Sequence, residues 1–159
     1  MSYLVSIGIS AGIIAGIFAQ YASAINIVSW VSFVAIASFF AAGGKKEGLF
    51  KALSANLSGV VWAMIIFLVL GAWHFKFAMT IIVLIAVIGM CVQAGWKVLS
   101  FIPGSFIGCG ATFGNNFDWK ATVIAIIVGG VLGYLMELGA NYIFKGFFSK
   151  KEASNQAKA

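Results

Sequence analysis

One short segment of the chain combines most of the features that could do chemistry inside apolar sequence. Residues 100–116, SFIPGSFIGCGATFGNN, contain the only proline, several glycines and several hydroxyl side chains between long apolar runs. Proline removes a backbone donor, and glycine permits an unwound or closely packed backbone. A helix broken at Pro-Gly could offer its free amides to a small polar solute, and the alternative is a closed, kinked span whose glycines serve packing. The residues assigned here to the solute path are Pro103, Gly104, Ser105, Gly108 and Thr112.

Two polar side chains inside other apolar runs are also assigned to this path. Glu137 is the only acid in its run, and because an ionised carboxylate facing lipid is costly, it should face the interior, a cavity or the cytoplasmic boundary. It could attract a cation, bind a proton or hydrogen-bond an amide, and the alternative is an interfacial carboxylate that reaches the headgroups. Asn56 needs a partner at membrane depth, with interhelical hydrogen bonding as its alternative role. Ser58 and Gln93 are further neutral polar groups for which such bonding is expected.

Other kinds of site are not indicated by the sequence. Cys91 and Cys109 lie in apolar surroundings and match no metal-ligand spacing, which is typical of small buried hydrophobes. No pattern suggests a nucleophile with its base or a phosphate loop, so we predict no enzyme, no metal and no cofactor. All ten basic residues are lysine, and the lack of arginine argues against a nucleic-acid partner.

The elements that must position these residues are membrane spans. With 62% hydrophobic and 9% charged residues and a mean hydropathy of +1.07, the chain cannot cover a water-soluble globule, so the lipid bilayer is its expected surroundings. A span needs roughly 20 apolar residues. A sixth run, 98–114, is doubtful because it contains the Pro-Gly segment. The five clear runs are 4–22, 27–43, 50–73, 77–94 and 121–144.

Lysine placement favours six crossings over five. Lysines in short loops concentrate on the cytoplasmic side of a membrane. With six crossings both termini are cytoplasmic and only Lys76 and Lys120 lie outside, whereas with five the four lysines of the carboxyl-terminal tail would lie outside, against this rule. We therefore predict an all-α transmembrane domain of six spans over residues 1–144 and a basic cytoplasmic tail over 145–159.

The chain also shows an internal similarity. Residues 32–52 align with 100–121 with small gaps, which places Ser38 opposite Ser105. Three spans per half is an odd number, so the halves must cross in opposite directions and form an inverted repeat. Chance similarity is the alternative, because Gly, Ala, Ser and Phe matches arise easily in membrane sequences. The predicted halves are about 1–73 and 77–144.

Glycines spaced by four residues predict close helix packing. In the first run such a row leaves one face of the helix without side chains, and the last run contains a similar row. The spacing does not distinguish packing within a protomer from packing between protomers. The residues concerned are Gly8, Gly12, Gly16, Gly129 and Gly133.

The lysine distribution, the segment FIPGSFIGCGATFG and the Gly-rich last span together resemble an uncharacterised family of small bacterial inner-membrane proteins, typified by the enterobacterial protein YcdZ. The similarity in length and span pattern covers nearly the whole chain. The resemblance implies a location in the bacterial inner membrane, and it transfers no catalytic or binding residue.

From the residues themselves we expect a channel or facilitator for a small polar solute. Few intramembrane charges favour urea, a short amide or a short carboxylic acid over a heavily charged metabolite. A homo-oligomer is expected because one small protomer has few interior positions with which to shape a path. The alternative is a non-transporting scaffold or partner subunit whose broken span only packs. An intramembrane enzyme would require more than one buried ionisable group.

Overall fold

The computed structural model describes residues 2–156, with side chains described as far as residue 146. This part of the chain is all-α, as predicted, and contains no strand. Two short 3-10 turns, Gln93–Gly95 and Lys97–Leu99, join the fourth helix to the fifth. The helices are α1 (Tyr3–Tyr21), α2 (Ser29–Ala41), α3 (Lys45–Ala72), α4 (Ala78–Val92), α5 (Ile102–Gly114) and α6 (Trp119–Gln156).

Four of the described helices are long and apolar enough to cross a bilayer. They are α1, α3, α4 with its following 3-10 turn, and α6 as far as Gly146. Helices α2 and α5 have 13 residues each, which at 1.5 Å per residue gives about 20 Å, less than the roughly 30 Å of a hydrocarbon core. The fold is thus that of a membrane protein with several spans, and the number six stays a prediction. Helix α6 continues into the predicted tail, whose residues 157–159 lie outside the described residues.

Helix α5 corrects the predicted break at Pro103–Gly104. The helix is continuous from Ile102, and Pro103 lies in its first turn, where the missing N–H would have no intrahelical acceptor. The irregular backbone comes earlier, over residues 93–101, where Trp96 is extended between the two 3-10 turns. The predicted position of the break was therefore wrong, because this proline begins a helix and does not interrupt one.

Helices α3 and α6 each pack along a short helix that runs in the same direction. Gly108 of α5 lies against the backbone of Asn56 in α3, and the ring centroid of Phe117, just beyond the end of α5, lies 4.7 Å from that of Phe67, farther along α3. Helix α6 packs in the same way along α2. There the Ser32 hydroxyl donates to the Ala125 carbonyl at 2.9 Å, and Phe39 lies against Gly133.

Helix α1 packs antiparallel to α6, and helix α4 packs antiparallel to α3. In α1 the Ser10 hydroxyl donates to the Met136 carbonyl at 2.8 Å, whereas the earlier Tyr3 ring meets the later Phe144 ring at 5.7 Å. In α4, Gly89 lies against the ring of Trp62 of α3, whereas Gln93, just past the end of α4, donates to the earlier Ser58 of α3 at 3.0 Å. Contacts with α4 therefore move back along α3 as the α4 chain advances.

Two glycines reverse the chain between α2 and α3. Gly43 has φ 103° and Gly44 has φ 66°. These values lie in the left-handed region, which residues with a Cβ rarely adopt. This tight turn makes α2 and α3 antiparallel and allows Ser38 to meet Asn56 across them. The turn also places the amino terminus of α3 beside α6.

The apolar core has two parts. One lies where α2, α3, α5 and α6 meet and includes Val31 and Ile126, and the other lies between α3, α4 and α5 and includes Ile66 and Cys109. Cys109 is buried as predicted, but Cys91 is exposed on α4, so the prediction of two buried cysteines was wrong for Cys91. A helix with an all-round apolar sequence gives no signal of which face will meet the protein.

Candidate functional site

A group of polar side chains lies where α2, α3, α5 and the end of α4 meet, and we call it the polar network. Ser38 and Ser105 are fully buried and Asn56 is 1% exposed, whereas the other members are half-buried. The helices approach closely here because Gly59 packs against the carbonyl of Ser105 without a side chain between them. The polar network consists of Ser38, Asn56, Ser58, Trp62, Gln93 and Ser105.

One part of the polar network surrounds the side-chain amide of Gln93. Its Oε1 accepts from Trp62 Nε1 at 3.0 Å. Its Nε2 donates to Ser58 Oγ at 3.0 Å and to Ser105 Oγ at 2.8 Å. A neutral amide has one carbonyl oxygen and two N–H groups, so each kind of group on Gln93 has a partner of the matching kind.

The directions of the hydroxyl hydrogen bonds follow from these contacts. Ser58 donates its only hydroxyl hydrogen to the Ala55 carbonyl at 2.8 Å. The 3.0 Å contact between the oxygens of Ser58 and Ser105 must then have Ser105 as its donor. Both hydroxyl oxygens are therefore left as acceptors, and both are aimed at the amide nitrogen of Gln93.

The other part of the polar network is centred on Asn56. Its amide is satisfied in the orientation that places Nδ2 at 3.2 Å from the Ala52 carbonyl, 3.1 Å from the Gly104 carbonyl and 2.9 Å from Ser38 Oγ. The Ser38 hydroxyl lies 3.2 Å from Oδ1 in the same orientation. Since Gly104 precedes Ser105 in α5, the two parts of the polar network meet at the first turn of that helix.

The structure brings together only some of the residues assigned to the solute path. Asn56 and Ser105 belong to the polar network, and Gly104 and Gly108 of α5 pack against Asn56. Pro103 is exposed. Thr112 is fully buried, but its hydroxyl donates to the Gly108 carbonyl at 2.8 Å, within its own helix.

Glu137 lies apart from the polar network and caps a helix. Its Oε2 accepts the backbone N–H of Lys45 at 2.6 Å, at the amino terminus of α3. A carboxylate at this end of a helix satisfies a free amide and interacts favourably with the helix dipole. Glu137 is half-buried and lines an open groove of about 660 Å³ together with Lys45, Lys46 and Asn141.

We expect Glu137→Leu to lower the free energy of unfolding by about 1–2 kcal/mol, because the substitution removes the cap and its charge. Glu137→Gln should lose only about half of that, since its carbonyl oxygen can still accept from Lys45. The measurement is chemical unfolding in detergent. Glu47→Gln is the matched control, because Glu47 lies in the first turn of the same helix but does not cap it. Equal stability of the Glu137→Leu and Glu47→Gln variants would contradict the capping role.

The structure also places the two rows of glycines differently. In α6, Gly129 packs against the Ser32 carbonyl, and a Cβ added at Gly133 would lie 2.8 Å from the Phe39 ring. In α1 the glycine row is exposed, and a Cβ added at any of its positions would meet no described atom within 4 Å outside its own helix. Spacing alone could not separate these two cases. The exposed row is Gly8, Gly12 and Gly16.

The partners of Gln93 could not be found from the sequence. Ser58 and Gln93 do hydrogen-bond between helices, as expected for neutral polar groups at membrane depth. The contact of Trp62 with Gln93, however, joins residues 31 positions apart. The only available signal was that Trp62 lies in the middle of an apolar run, away from the span ends that tryptophan favours.

Three curated proteins show how far the similarity to known chains extends. The inner membrane protein YcdZ of Escherichia coli K12 is 39% identical over 142 residues, covering 86% of this chain and 85% of its own. YcdZ of Salmonella typhimurium LT2 is 37% identical, with coverage of 86% and 87%. The uncharacterized protein YahC of Escherichia coli K12 is 32% identical over 152 residues, with coverage of 87% and 92%.

The family comparison agrees with these relatives. No solved structure matches the chain significantly. The model of the family described as protein of unknown function (DUF1097) matches residues 6–141. The chain therefore belongs to this family, and its apolar helices and inner-membrane relatives identify it as a multi-pass inner membrane protein.

Proposed function

We propose that the protein is a membrane channel or facilitator for a small polar solute, whose path runs along the polar network. The observation that carries the proposal is the network itself, in which side chains from four elements meet inside an apolar membrane domain. Polar side chains inside a membrane domain are costly unless they are hydrogen-bonded, and they serve either to join helices or to line the path of a solute. A path for a polar solute gives these groups a reason to be there.

The directions of helix packing support six crossings. Helices α3 and α5 are parallel, α2 and α6 are parallel, and α2 is antiparallel to α3. Since α1 is antiparallel to α6 and α4 is antiparallel to α3, every helix runs opposite to its neighbours in sequence. This alternation is what six successive crossings require, with α2 and α5 as short spans supported by the protein around them.

The same contacts support two inverted halves. The pattern of packing is preserved when α1 is exchanged with α4, α2 with α5 and α3 with α6. Each packing pair then becomes another pair that has the same relative direction. Gly59 packs on the Ser105 carbonyl, and Gly129 packs on the Ser32 carbonyl. In this arrangement Ser32 is the counterpart of Ser105, whereas the sequence alignment had paired Ser38 with Ser105.

The halves are not equal in chemistry. Ser32 donates directly to the Ala125 carbonyl, and the surroundings of that contact are apolar. Ser105 instead joins the polar network through Ser58 and Gln93. A polar solute would therefore be recognised in one half only, around the first turn of α5.

The solute class follows from the neutrality of the polar network. Its members are serine, asparagine, glutamine and tryptophan side chains, none of which carries a charge. A heavily charged metabolite would meet no compensating charge there. Small neutral or weakly acidic solutes, such as urea, a short amide or a short carboxylic acid, fit these donors and acceptors.

We further infer that the protein acts as a homo-oligomer in which α1 contributes to the contact between copies. Its exposed glycine row would let a second backbone approach closely. The rest of the exposed side of α1 is largely apolar and includes Ile9, Ile13 and Ile17, so lipid and a second copy are alternative neighbours. Crosslinking in native membranes, followed by mass determination, tests this inference.

A non-transporting scaffold is the second candidate, and one observation favours it. No buried side-chain nitrogen or oxygen of the described residues lacks a hydrogen-bond partner. The polar network is thus closed in this conformation, as it would be if its only role were to hold helices together.

Solute flux into proteoliposomes separates the two functions. Vesicles with the wild-type protein should swell faster than empty vesicles in iso-osmotic urea or acetamide, as measured by light scattering. Ser105→Ala should reduce this rate by about tenfold, because it removes two hydrogen bonds of the polar network. Thr112→Val is the matched control in the same helix and should leave the rate unchanged. A wild-type rate equal to that of empty vesicles would favour the scaffold.

The proposed topology predicts that both termini are cytoplasmic. One end of the molecule contains the start of α1 and Lys45, and it also carries Lys51 beside Lys97, so the positive-inside rule places that end in the cytoplasm. Reporter fusions after residue 159 and in the loop at residues 74–76 should be active on opposite sides. Activity of both fusions on the same side would rule out six crossings, and a periplasmic carboxyl terminus would contradict the predicted orientation.

A further inference from the structure

We propose that the side-chain amide of Gln93 occupies a recognition site for a primary carboxamide, and that the solute bound there is an amide or urea. The inference rests on the proposed transport function and names the substrate class of the same site. Gln93 then acts as a removable plug, because its amide sits where the amide of the solute would bind.

The three partners of Gln93 match the hydrogen-bonding pattern of a primary amide. Trp62 Nε1 can only donate, and it lies 3.0 Å from the carbonyl oxygen of the Gln93 side chain. The oxygens of Ser58 and Ser105 lie at 3.0 and 2.8 Å from the amide nitrogen. A site with one fixed donor and two acceptors is complementary to one C=O and two N–H groups.

The fixed hydroxyl directions make this site selective. Ser58 is committed as a donor to Ala55, and Ser105 is committed as a donor to Ser58, so neither can turn its hydrogen toward the ligand without losing a bond. A carboxylate would place an oxygen against two oxygen acceptors. A ketone could accept from Trp62 but would give neither hydroxyl oxygen the N–H donor that an amide supplies, which disfavours binding. Urea has the same C=O and NH₂ groups as the Gln93 side chain and meets neither objection.

The position of Gln93 in the chain allows it to leave the site. It is the first residue of the 3-10 turn Gln93–Gly95, and its side chain is half-buried. Trp96 and Lys97, which follow, are exposed, and this irregular segment is held by hydrogen bonds that close single turns. Such a segment can rearrange at less cost than the packed helices α3 and α5, which carry the other partners.

Gln93→Ala tests the site by emptying it. The substitution removes Cγ, Cδ, Oε1 and Nε2, which correspond in kind and number to the heavy atoms of acetamide. Purified Gln93→Ala protein in detergent should bind acetamide in a saturable manner, seen as a rise in its melting temperature and by calorimetry. Acetone should bind at least about tenfold more weakly, because it lacks both N–H donors. Wild-type protein, with its plug in place, should show a smaller response to acetamide.

Two further variants test whether acetamide binding depends on the position of the removed glutamine and on the Trp62 donor. Gln20→Ala removes the same side chain from an exposed position on α1 and should gain no acetamide binding. Adding Trp62→Phe to the Gln93→Ala protein removes the donor to the carbonyl and should weaken acetamide binding by about tenfold. If Gln93→Ala is not recovered as folded protein, expression in the presence of acetamide, and not of acetone, should restore its yield.

Equal binding of acetamide and acetone to the Gln93→Ala variant would overturn the inference, as would a failure of acetamide to restore an unfolded variant. Neither result would affect the flux of other polar solutes through wild-type protein. Conversely, selective acetamide binding in a protein that carries no solute across vesicles would uphold the amide site and remove the proposed transport function.

Discussion

Gly108→Ala should prevent stable assembly of the membrane domain. The added methyl group would enter the backbone of α3 at the carbonyl of Asn56, where no flexible side chain can move aside. Overpacking of a close-packed interior costs about 3 kcal/mol in such a case, a large part of the stability of a small domain. We expect a low yield of folded protein and a melting temperature in detergent lowered by about 10 °C or more.

Gly110→Ala is the control for this prediction. Gly110 lies two residues farther along α5, is exposed, and has open space where a Cβ would stand. Alanine there should be neutral or slightly stabilising, because it forms helix better than glycine by up to about 1 kcal/mol. If the two variants were equally stable, α5 could not pack against α3 as described, and the polar network would lose its geometric basis.

Asn56→Asp should destabilise the protein nearly as strongly, although the two side chains have the same shape. The nitrogen of Asn56 faces the carbonyl oxygens of Ala52 and Gly104, and aspartate would place an oxygen in that position. An ionised carboxylate facing acceptors in a buried site costs about 3–5 kcal/mol. Unfolding of the purified variant at neutral pH measures this loss.

The comparison for this prediction is Asn141→Asp, on α6 beside the groove that contains Lys45 and Lys46. Asn141 is half-buried and close to these cations, so a carboxylate there should change stability by no more than about 0.5 kcal/mol. A stable Asn56→Asp variant would contradict the assignment of the Asn56 nitrogen as donor to these two carbonyls.

The sequence predicted the helical membrane fold because that information is local. Each long apolar run must form a helix to satisfy its backbone in lipid, so α1, α3, α4 and α6 could be recognised without a partner. Helix α5 was harder to read, because a proline that begins a helix and a proline that interrupts one occur in similar sequences. The deciding feature, the irregular segment 93–101, contains no proline and only one glycine.

The candidate site could be predicted only in part, because its contacts are not local. Asn56 and Ser105 were recognisable as polar groups at membrane depth, but the sequence could not show that Gln93 would reach both Ser58 and Ser105. Glu137 illustrates the same limit. Its partner is a backbone amide 92 residues away, exposed only because the Gly43–Gly44 turn begins a helix there.

The shortness of α5 has a consequence for biogenesis. A segment of 13 residues that contains a proline and four glycines is a weak signal for membrane insertion and is too short to cross the hydrocarbon core as a helix without help. Helix α6 follows after only four residues and supplies a long apolar span. In the proposed six-span topology, helix α5 should therefore enter the bilayer as a hairpin with α6 and reach α3 only after synthesis of α6. A chain truncated before α6 should leave α5 outside the membrane and be degraded.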